Sequence, residues 1–235
     1  QTVSTMRSSL FLLGALAGRE KSYKLYKSGG CHLGERTVRP HIYALEKLGV
    51  KIKIQADYYD VRNGELKANE IVMYESGDTA TENVIMAAVL AKGKTVIKMA
   101  SANYMAQDLC YFLNSAGARI SGIGTTTLMI EGVKLLKATR YAIMPDPIVA
   151  MTFLSVGITT GSELTIKNCP LDFLELEICK LDVLGQKLSI KNRRKSKNGY
   201  FTLADITVIP SELRALPDKI YGRPFPGLNV DNLPL

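Results

Sequence analysis

Apolar and polar residues follow two different periods along this chain of 235 residues, and the two periods predict an alternation of helices and strands. Apolar residues spaced like one buried helical face cover residues 83–91 and 151–158. Each of these segments is followed by a glycine and then by a short stretch that suits a strand, at 95–98 and 163–166. The pattern therefore predicts helix–strand units rather than an all-helical or all-β protein.

The unit recurs with a period of 68 residues. Three leucines at this spacing are each followed four positions later by a glycine, and then by a basic and an apolar residue. The pairs are Leu45 and Gly49, Leu113 and Gly117, and Leu181 and Gly185. Each pair predicts the end of an amphipathic helix, a glycine in the left-handed conformation, and a strand. Because this period exceeds that of common solenoids, it predicts a globular α/β fold of repeated helix–strand–helix–strand units, with a further hairpin such as 128–131.

The amino-terminal stretch 6–17 has a positive start, a short apolar run and an Ala-x-Ala site, as a signal peptide would. However, five residues precede Met6 and the first residue is Gln1, so we expect the chain to begin inside a longer protein. We therefore predict a buried helix for this run. No apolar segment reaches the roughly 20 residues needed to span a bilayer.

Composition and charge narrow the possible partners. Apolar residues make up 46% of the chain and charged residues 22%, which is typical of a globular protein. The formal charge of +8 suits nucleic acid, an anionic membrane or a small anionic substrate. The densest basic run, 191–199, contains no aromatic residues that could stack on bases, and we predict a solvated hairpin turn there.

The cysteines do not indicate a metal site or a disulfide scaffold. The four cysteines form no Cys-x-x-Cys pair, and only two histidines, His32 and His41, could assist them. We therefore expect no metal and a reduced, cytoplasmic protein. Apolar surroundings in the sequence predict that Cys110, Cys169 and Cys179 are small buried residues.

The stretch 28–36, Ser-Gly-Gly-Cys-His-Leu-Gly-Glu-Arg, differs from the other segments because it carries a specific motif. It resembles the Gly-Gly-Cys-x-x-Gly-x-Arg loop of the UDP-N-acetylglucosamine 1-carboxyvinyltransferases, which belong to the EPSP synthase superfamily. Weaker matches lie in the same order along the chain, at 5–9, 45–49, 80–83, 112–114, 130–133, 145–146 and 152–154.

The resemblance implies a fold and a domain organisation. Proteins of this family have two similar inside-out α/β domains of three repeated units each, with the active site in the cleft between them. Residues 1–144 would then be part of the domain that bears the cysteine loop, and residues 145–235 part of the second domain. Family members are close to twice this length, so we expect a central segment whose nearest partner is the remainder of its own polypeptide.

The resemblance also implies a reaction that needs no cofactor. The family transfers the enolpyruvyl group of phosphoenolpyruvate to the 3-hydroxyl of UDP-N-acetylglucosamine, the first committed step of peptidoglycan synthesis. The expected partners are therefore phosphoenolpyruvate and a UDP-sugar, without nucleic acid or membrane. Such chemistry requires cations for phosphate and carboxylate groups, a proton donor at C3 and a base for the hydroxyl.

Four positions match the reactive part of the family's site. Cys31 matches the loop cysteine implicated in proton donation and product release, and neighbouring glycines with a nearby arginine suit a reactive thiol. Arg36 and Arg7 match arginines that contact phosphate or carboxylate groups, for which the planar guanidinium is suited. Asp231 matches the aspartate that takes the hydroxyl proton, although it lies in a Pro/Gly-rich loop, where Asp is also a common turn residue.

The loops that hold the sugar nucleotide depart from the family's pattern. After Arg36 the usual Pro-Val-Asp-Leu-His is replaced by a sequence that contains Arg39 and His41, in the loop that would hold uracil. The loop near the diphosphate contains Asp78 and Thr79 in place of Val and Gly. These departures leave three alternatives open: a divergent paralogue with another nucleotide or polyol acceptor, a non-catalytic binding relative and, more remotely, a basic nucleic-acid module.

Overall fold

The computed structural model describes residues 2–27 and 37–232. The segment 28–36, which includes Cys31 and Arg36, lies outside the described residues, as do residues 1 and 233–235. The chain divides into two compact units, Gln1–Thr139 and Arg140–Leu235.

The first unit begins with a helical segment and a three-stranded antiparallel sheet. The short helix α1 (Thr2–Thr5), a 3-10 helix (Arg7–Phe11) and α2 (Leu12–Ala15) come first. They are followed by β1 (Ser22–Tyr26), α3 (Arg39–Lys47), β2 (Val50–Ile54) and β3 (Tyr58–Asn63). The strand order is β1-β3-β2.

A second repeat completes this unit. Its elements are β4 (Glu70–Val72), α4 (Asp78–Ala88), β5 (Lys94–Lys98), α5 (Tyr104–Ser115), β6 (Arg119–Ser121) and β7 (Thr127–Glu131). The sheet order is β4-β5-β7-β6, with β4 parallel to β5 and the other pairs antiparallel.

The second unit contains one further repeat. Its elements are α6 (Pro147–Thr159), β8 (Leu164–Pro170), a 3-10 helix (Leu171–Phe173), α7 (Glu175–Val183), β9 (Lys187–Lys195) and β10 (Thr202–Ile209). The antiparallel order is β8-β10-β9. A 3-10 helix at Val230–Asn232 follows a long irregular segment.

The structure confirms the repeated unit. In all three copies a strand, a helix and a two-stranded hairpin follow one another, and the last strand inserts between the first two. Gly49, Gly117 and Gly185 have φ angles of +100°, +97° and +90°, so each adopts the left-handed conformation that a side chain disfavours. The leucines four residues earlier, at positions 45, 113 and 181, are all buried in the helix that ends there.

Helix α4 lies at the centre of the first unit and positions the site described below. Residues on several of its faces are buried, and Val84, Ile85 and Ala88 are completely enclosed. It packs against α2, α3 and α5, which surround it. A helix enclosed in this way carries mostly small and apolar side chains, and a buried polar side chain on it is costly unless it is hydrogen-bonded.

Three expectations need correction or refinement. The run 6–17 is helical, but it begins as a 3-10 helix and only then becomes the short α2. Residues 191–195 of the basic run lie in β9 rather than in a turn, because the hairpin turns later, at 196–201. Cys179 is exposed on α7 and not buried as predicted, because that helix has an outward face. Among the described residues, no helix is long and apolar enough to cross a membrane.

Candidate functional site

A pocket of about 550 Å³ opens in the first unit, at the amino end of α4. Its polar lining residues are Arg7, Ser8, Thr37, His41, Glu75 and Thr79. Three of the side chains proposed from the sequence, Arg7, His41 and Thr79, therefore share one cavity although they are far apart in the chain. The pocket offers a guanidinium, an imidazole and hydroxyl groups, which together suit a ligand with negative charge and several acceptor oxygens.

Each of the three side chains comes from a different element. Arg7 begins the 3-10 helix and is half-buried, His41 lies in the first turn of α3, and Thr79 is the second residue of α4. The free backbone N–H groups and the dipole at the amino end of α4 also favour negative charge there. Glu75, an exposed carboxylate in the loop before α4, opposes this preference from the rim.

The completely buried Asn83 of α4 connects these elements. Its Nδ2 donates hydrogen bonds to the carbonyl of Leu10 at 3.1 Å and to Nδ1 of His41 at 2.8 Å. Its Oδ1 accepts a hydrogen bond from the backbone N–H of Gly14 at 2.7 Å. One amide side chain therefore fixes the Arg7-bearing segment and the imidazole of α3 against the central helix.

These contacts determine which nitrogen of His41 carries the proton. The Gly14 N–H requires an acceptor and the Leu10 carbonyl requires a donor, so the amide of Asn83 has only one suitable orientation. In that orientation Nδ2 donates to His41 Nδ1, which must be unprotonated. The proton of the neutral ring is then on Nε2, which points at Thr79 Oγ1 at 3.5 Å.

The surroundings also keep His41 uncharged. The whole residue is only 3% exposed. Burial, and then the positive charge of Arg7, lower the pKa of His41 to about 4. His41 is therefore a neutral hydrogen-bond donor at the pocket near pH 7, and Arg7 is the cationic member of the described lining.

The close approach of α2 to α4 depends on a glycine. A Cβ atom on Gly14 would lie 2.7 Å from Oδ1 and 2.8 Å from Cα of Asn83, closer than packed atoms tolerate. The hydrogen bond from Gly14 to Asn83 is therefore possible only with no side chain at position 14.

Asp78 does not line this pocket, although it begins α4. Its carboxylate accepts hydrogen bonds from the Ser101 hydroxyl and from Asn103 Nδ2, the latter at 3.0 Å. Asn103 also caps α5 by accepting from the N–H of Tyr104. Asp78 thus connects the starts of α4 and α5.

Glu82, one turn after Asp78, is a buried carboxyl group that the sequence reasoning did not single out. It is 8% exposed, and its Oε2 has no hydrogen-bond partner among the described residues. Burial, and then the charge of Asp78, raise the pKa of Glu82 to about 7. A glutamate followed by Asn83, directly before the apolar run 84–88, was the available signal for both.

The other predicted residues lie elsewhere. Arg39 is exposed at the start of α3, where its N–H bonds Thr37 Oγ1 at 3.1 Å, and its side chain is not in the pocket lining. Asp231 is exposed in the 3-10 helix of the second unit. Within the described residues no cluster of His, Cys, Asp and Glu could hold a metal ion.

A family model described as EPSP synthase (3-phosphoshikimate 1-carboxyvinyltransferase) matches residues 1–222. The chain belongs to the EPSP synthase family. Within this family it is 40% identical over 230 residues to a protein of Caldanaerobacter subterraneus subsp. tengcongensis named UDP-N-acetylglucosamine 1-carboxyvinyltransferase 2. It is 37% identical over 232 residues to the UDP-N-acetylglucosamine 1-carboxyvinyltransferase of Nitratidesulfovibrio vulgaris strain DP4.

These matches cover 98% and 97% of this EPSP synthase family chain, but 52% of each relative. The chain therefore spans about half the length of the curated relatives that it matches.

Solved structures show the same enolpyruvyl transferase fold. The enolpyruvyl transferase NikO from Streptomyces tendae superposes with a TM-score of 0.79 at 20% identity, over 99% of this chain and 53% of NikO. EPSP synthase from Acinetobacter baumannii gives a TM-score of 0.72 at 20% identity, over 98% of this chain and 52% of that protein. At this identity the likeness concerns the EPSP synthase fold and not the substrate.

Proposed function

We propose that the complete protein transfers the enolpyruvyl group of phosphoenolpyruvate to the 3-hydroxyl of UDP-N-acetylglucosamine, in the cytoplasm, as the first committed step of peptidoglycan synthesis. The observation that carries this proposal is 36–40% identity, over almost the whole chain, to four proteins that bear the name of that activity. The two units would belong to the two domains of the transferase, with boundaries near 1–144 and 145–235.

The pocket supports an anionic ligand. The Arg7 guanidinium can bind two oxygens of a phosphate or carboxylate group through parallel hydrogen bonds. The Thr79 hydroxyl and the amino end of α4 add donors to the same cavity. A neutral His41 contributes no repulsion to Arg7 and can donate without being titrated near pH 7.

The chemistry requires two further groups. The acceptor hydroxyl adds to C2 of phosphoenolpyruvate while C3 gains a proton, and the tetrahedral intermediate then loses phosphate and one C3 proton. We assign the C3 proton to the thiol of Cys31, with Arg36 as a second cation for the phosphate, and the hydroxyl proton to Asp231. These roles rest on the motif around Cys31 and on the matching position of Asp231 in the sequence.

A second candidate is the same transfer to a different nucleotide or polyol acceptor. The observation that favours it is Glu75, a carboxylate on the pocket rim, together with the altered loops that contain Arg39 and Asp78. A carboxylate 4 Å from a diphosphate costs about 1 kcal/mol in water and more where the pair is partly desolvated. Asp78 adds less repulsion than its sequence position suggests, because it does not line the pocket and its carboxylate is bonded to Ser101 and Asn103 instead.

The deciding experiment uses the complete protein with both substrates. Phosphate release that requires phosphoenolpyruvate and UDP-N-acetylglucosamine together is expected, and calorimetry should show ordinary binding of the sugar nucleotide. Binding weakened about tenfold would correspond to 1.4 kcal/mol and would favour another acceptor. No phosphate release with any acceptor would overturn enzymatic transfer and leave a non-catalytic binding protein.

A pair of arginine variants tests the pocket itself. Arg7→Ala should weaken binding of the phosphate-bearing substrate by roughly tenfold or more, because a charge-assisted contact is lost. Arg19→Ala is the matched control, since Arg19 is exposed in the same amino-terminal region and outside the pocket lining. Equal binding by the two variants would show that the pocket is not the anion site.

A further inference from the structure

Glu177 of α7 is a buried carboxylate in the second unit that none of the roles above uses. The whole residue is 5% exposed. One of its oxygens, Oε1, accepts a hydrogen bond from Asn232 Nδ2 at 2.9 Å and a longer one from the backbone N–H of Asn229 at 3.4 Å. A buried carboxylate is costly unless it is hydrogen-bonded, and these bonds are directed at a single turn.

That turn carries Asp231. Residues 210–229 contain no named helix or strand, and only an isolated β-bridge joins Gly222 to Leu228. The turn itself, the 3-10 helix Val230–Asn232, packs against α6. The N–H of Asp231 donates to Oδ1 of Asn229 at 3.0 Å, and the N–H of Asn232 donates to the carbonyl of Asn229 at 3.0 Å. Glu177 thus holds the turn at the residue after Asp231 and at the residue two before it.

The residue that bonds to Glu177 is buried, whereas the neighbouring Asp231 is accessible. Asn232 is buried at 6% exposure, whereas the neighbouring Asp231 is exposed. The aromatic contact between Phe173 and Phe225, at 5.2 Å between ring centroids, holds the preceding part of the segment. A general base must be exposed to its substrate and yet fixed in position, since a displacement of about 1 Å can cost about 100-fold in rate.

We propose that Glu177 is a positioning residue, which holds the Asp231 turn so that its carboxylate faces the acceptor hydroxyl. This inference rests on the proposed function, in which Asp231 takes the hydroxyl proton. Glu177 acts through the backbone of the turn and does not touch the substrate.

Hydrogen exchange tests, without any substrate, whether Glu177 holds the turn that contains Asp231. Glu177→Leu should accelerate amide exchange in the peptide covering 229–232, whereas Glu177→Gln should not, since its amide oxygen still accepts both bonds. Glu175→Leu is the matched control, because Glu175 is exposed on the same helix. Unchanged exchange in Glu177→Leu would overturn the inference, whatever the activity of the protein.

Steady-state kinetics of the complete protein test whether Glu177 affects the reaction through Asp231. Glu177→Leu should lower kcat by about 10- to 100-fold with little change in KM for either substrate, and Glu177→Gln should restore most of kcat. In an Asp231→Asn background, Glu177→Leu should cost less than about twofold more, because both changes remove the same contribution. If the losses in kcat of the two single variants multiply in the double variant, Glu177 does not act through Asp231 and the inference is overturned. An inactive wild type would instead refute the proposed function, and hydrogen exchange would still decide the anchoring role.

Discussion

Asn83 Nδ2 donates a hydrogen bond to Nδ1 of His41 at 2.8 Å, and both side chains are buried. The bond joins α4 to α3 and leaves the Nε2–H of the imidazole directed towards Thr79 and the pocket. A buried amide, held by the Leu10 and Gly14 backbone groups, therefore sets the chemical form of a histidine at the site.

The tautomer of His41 can be observed directly. In a His32→Gln background one imidazole is left in the chain, and its nitrogen-15 spectrum at pH 7 should show a neutral ring protonated on Nε2. Asn83→Asp should replace the donor by a carboxylate and raise the pKa of His41. A ring protonated on Nδ1, or a pKa near 6.5 in the protein with Asn83 intact, would contradict the arrangement.

The pKa of His41 also predicts how stability depends on pH. Because the pKa is about 4 when folded and 6.5 at its ordinary value, the unfolded chain binds more protons between these limits. Stability should therefore fall as pH falls from about 6.5 towards 4, by a contribution on the order of 3 kcal/mol. Urea unfolding of the chain and of His41→Gln across this pH range measures the contribution. If the free energy of unfolding changes equally with pH in the two proteins, His41 makes no such contribution.

Glu82 predicts a pH dependence of stability opposite in direction to that of His41. Its pKa is raised from 4.5 to about 7, so the folded state binds more protons and stability is lost as pH rises through this window. Glu82→Gln should leave stability at pH 4.5 nearly unchanged and increase it at pH 8 by about 1–3 kcal/mol. Chemical unfolding at the two pH values measures the difference, and a variant equally stable or less stable at pH 8 would contradict the assignment.

Gly14→Ala tests the close packing of α2 on α4. Alanine in a helix normally stabilises by about 1 kcal/mol relative to glycine. At position 14 its Cβ would collide with Asn83, so we expect a loss of about 2–3 kcal/mol instead. Gly64→Ala is the control, because a Cβ there meets its nearest atom, the Gly49 carbonyl oxygen, at an ordinary 3.8 Å. Thermal unfolding of both variants shows whether each substitution stabilises or destabilises the protein.

Alkylation distinguishes the cysteines. Burial raises the pKa of Cys110 to about 12 and that of Cys169 to about 11, so both should react slowly with iodoacetamide. Cys179 is exposed and would compete with the proposed reactive thiol, so the measurement uses a Cys179→Ser variant. Peptide mass mapping should then show Cys31 labelled first, and earlier labelling of Cys110 or Cys169 would contradict its proposed role.

Local sequence determined much of the fold. A glycine after an apolar helical stretch predicts the left-handed cap, and its recurrence every 68 residues predicts the repeated unit, because both depend on backbone sterics and on the period of apolar residues. The motif around Cys31 predicted the family in the same way, since it is contiguous in the chain. The exposed position of Cys179 was not predicted, because an apolar neighbourhood in sequence does not reveal which face of a helix is covered.

Only the tertiary structure decided the rest. The pairs Asn83–Gly14 and Asn232–Glu177 join residues separated by 69 and 55 positions, so no local sequence pattern predicts them. The insertion of β10 between β8 and β9, and the enclosure of α4, likewise follow from which surfaces become buried together. Sequence identifies the residues that can donate, accept or carry charge, but burial decides which of them must pair, because an unpaired polar group is costly only once water has been removed.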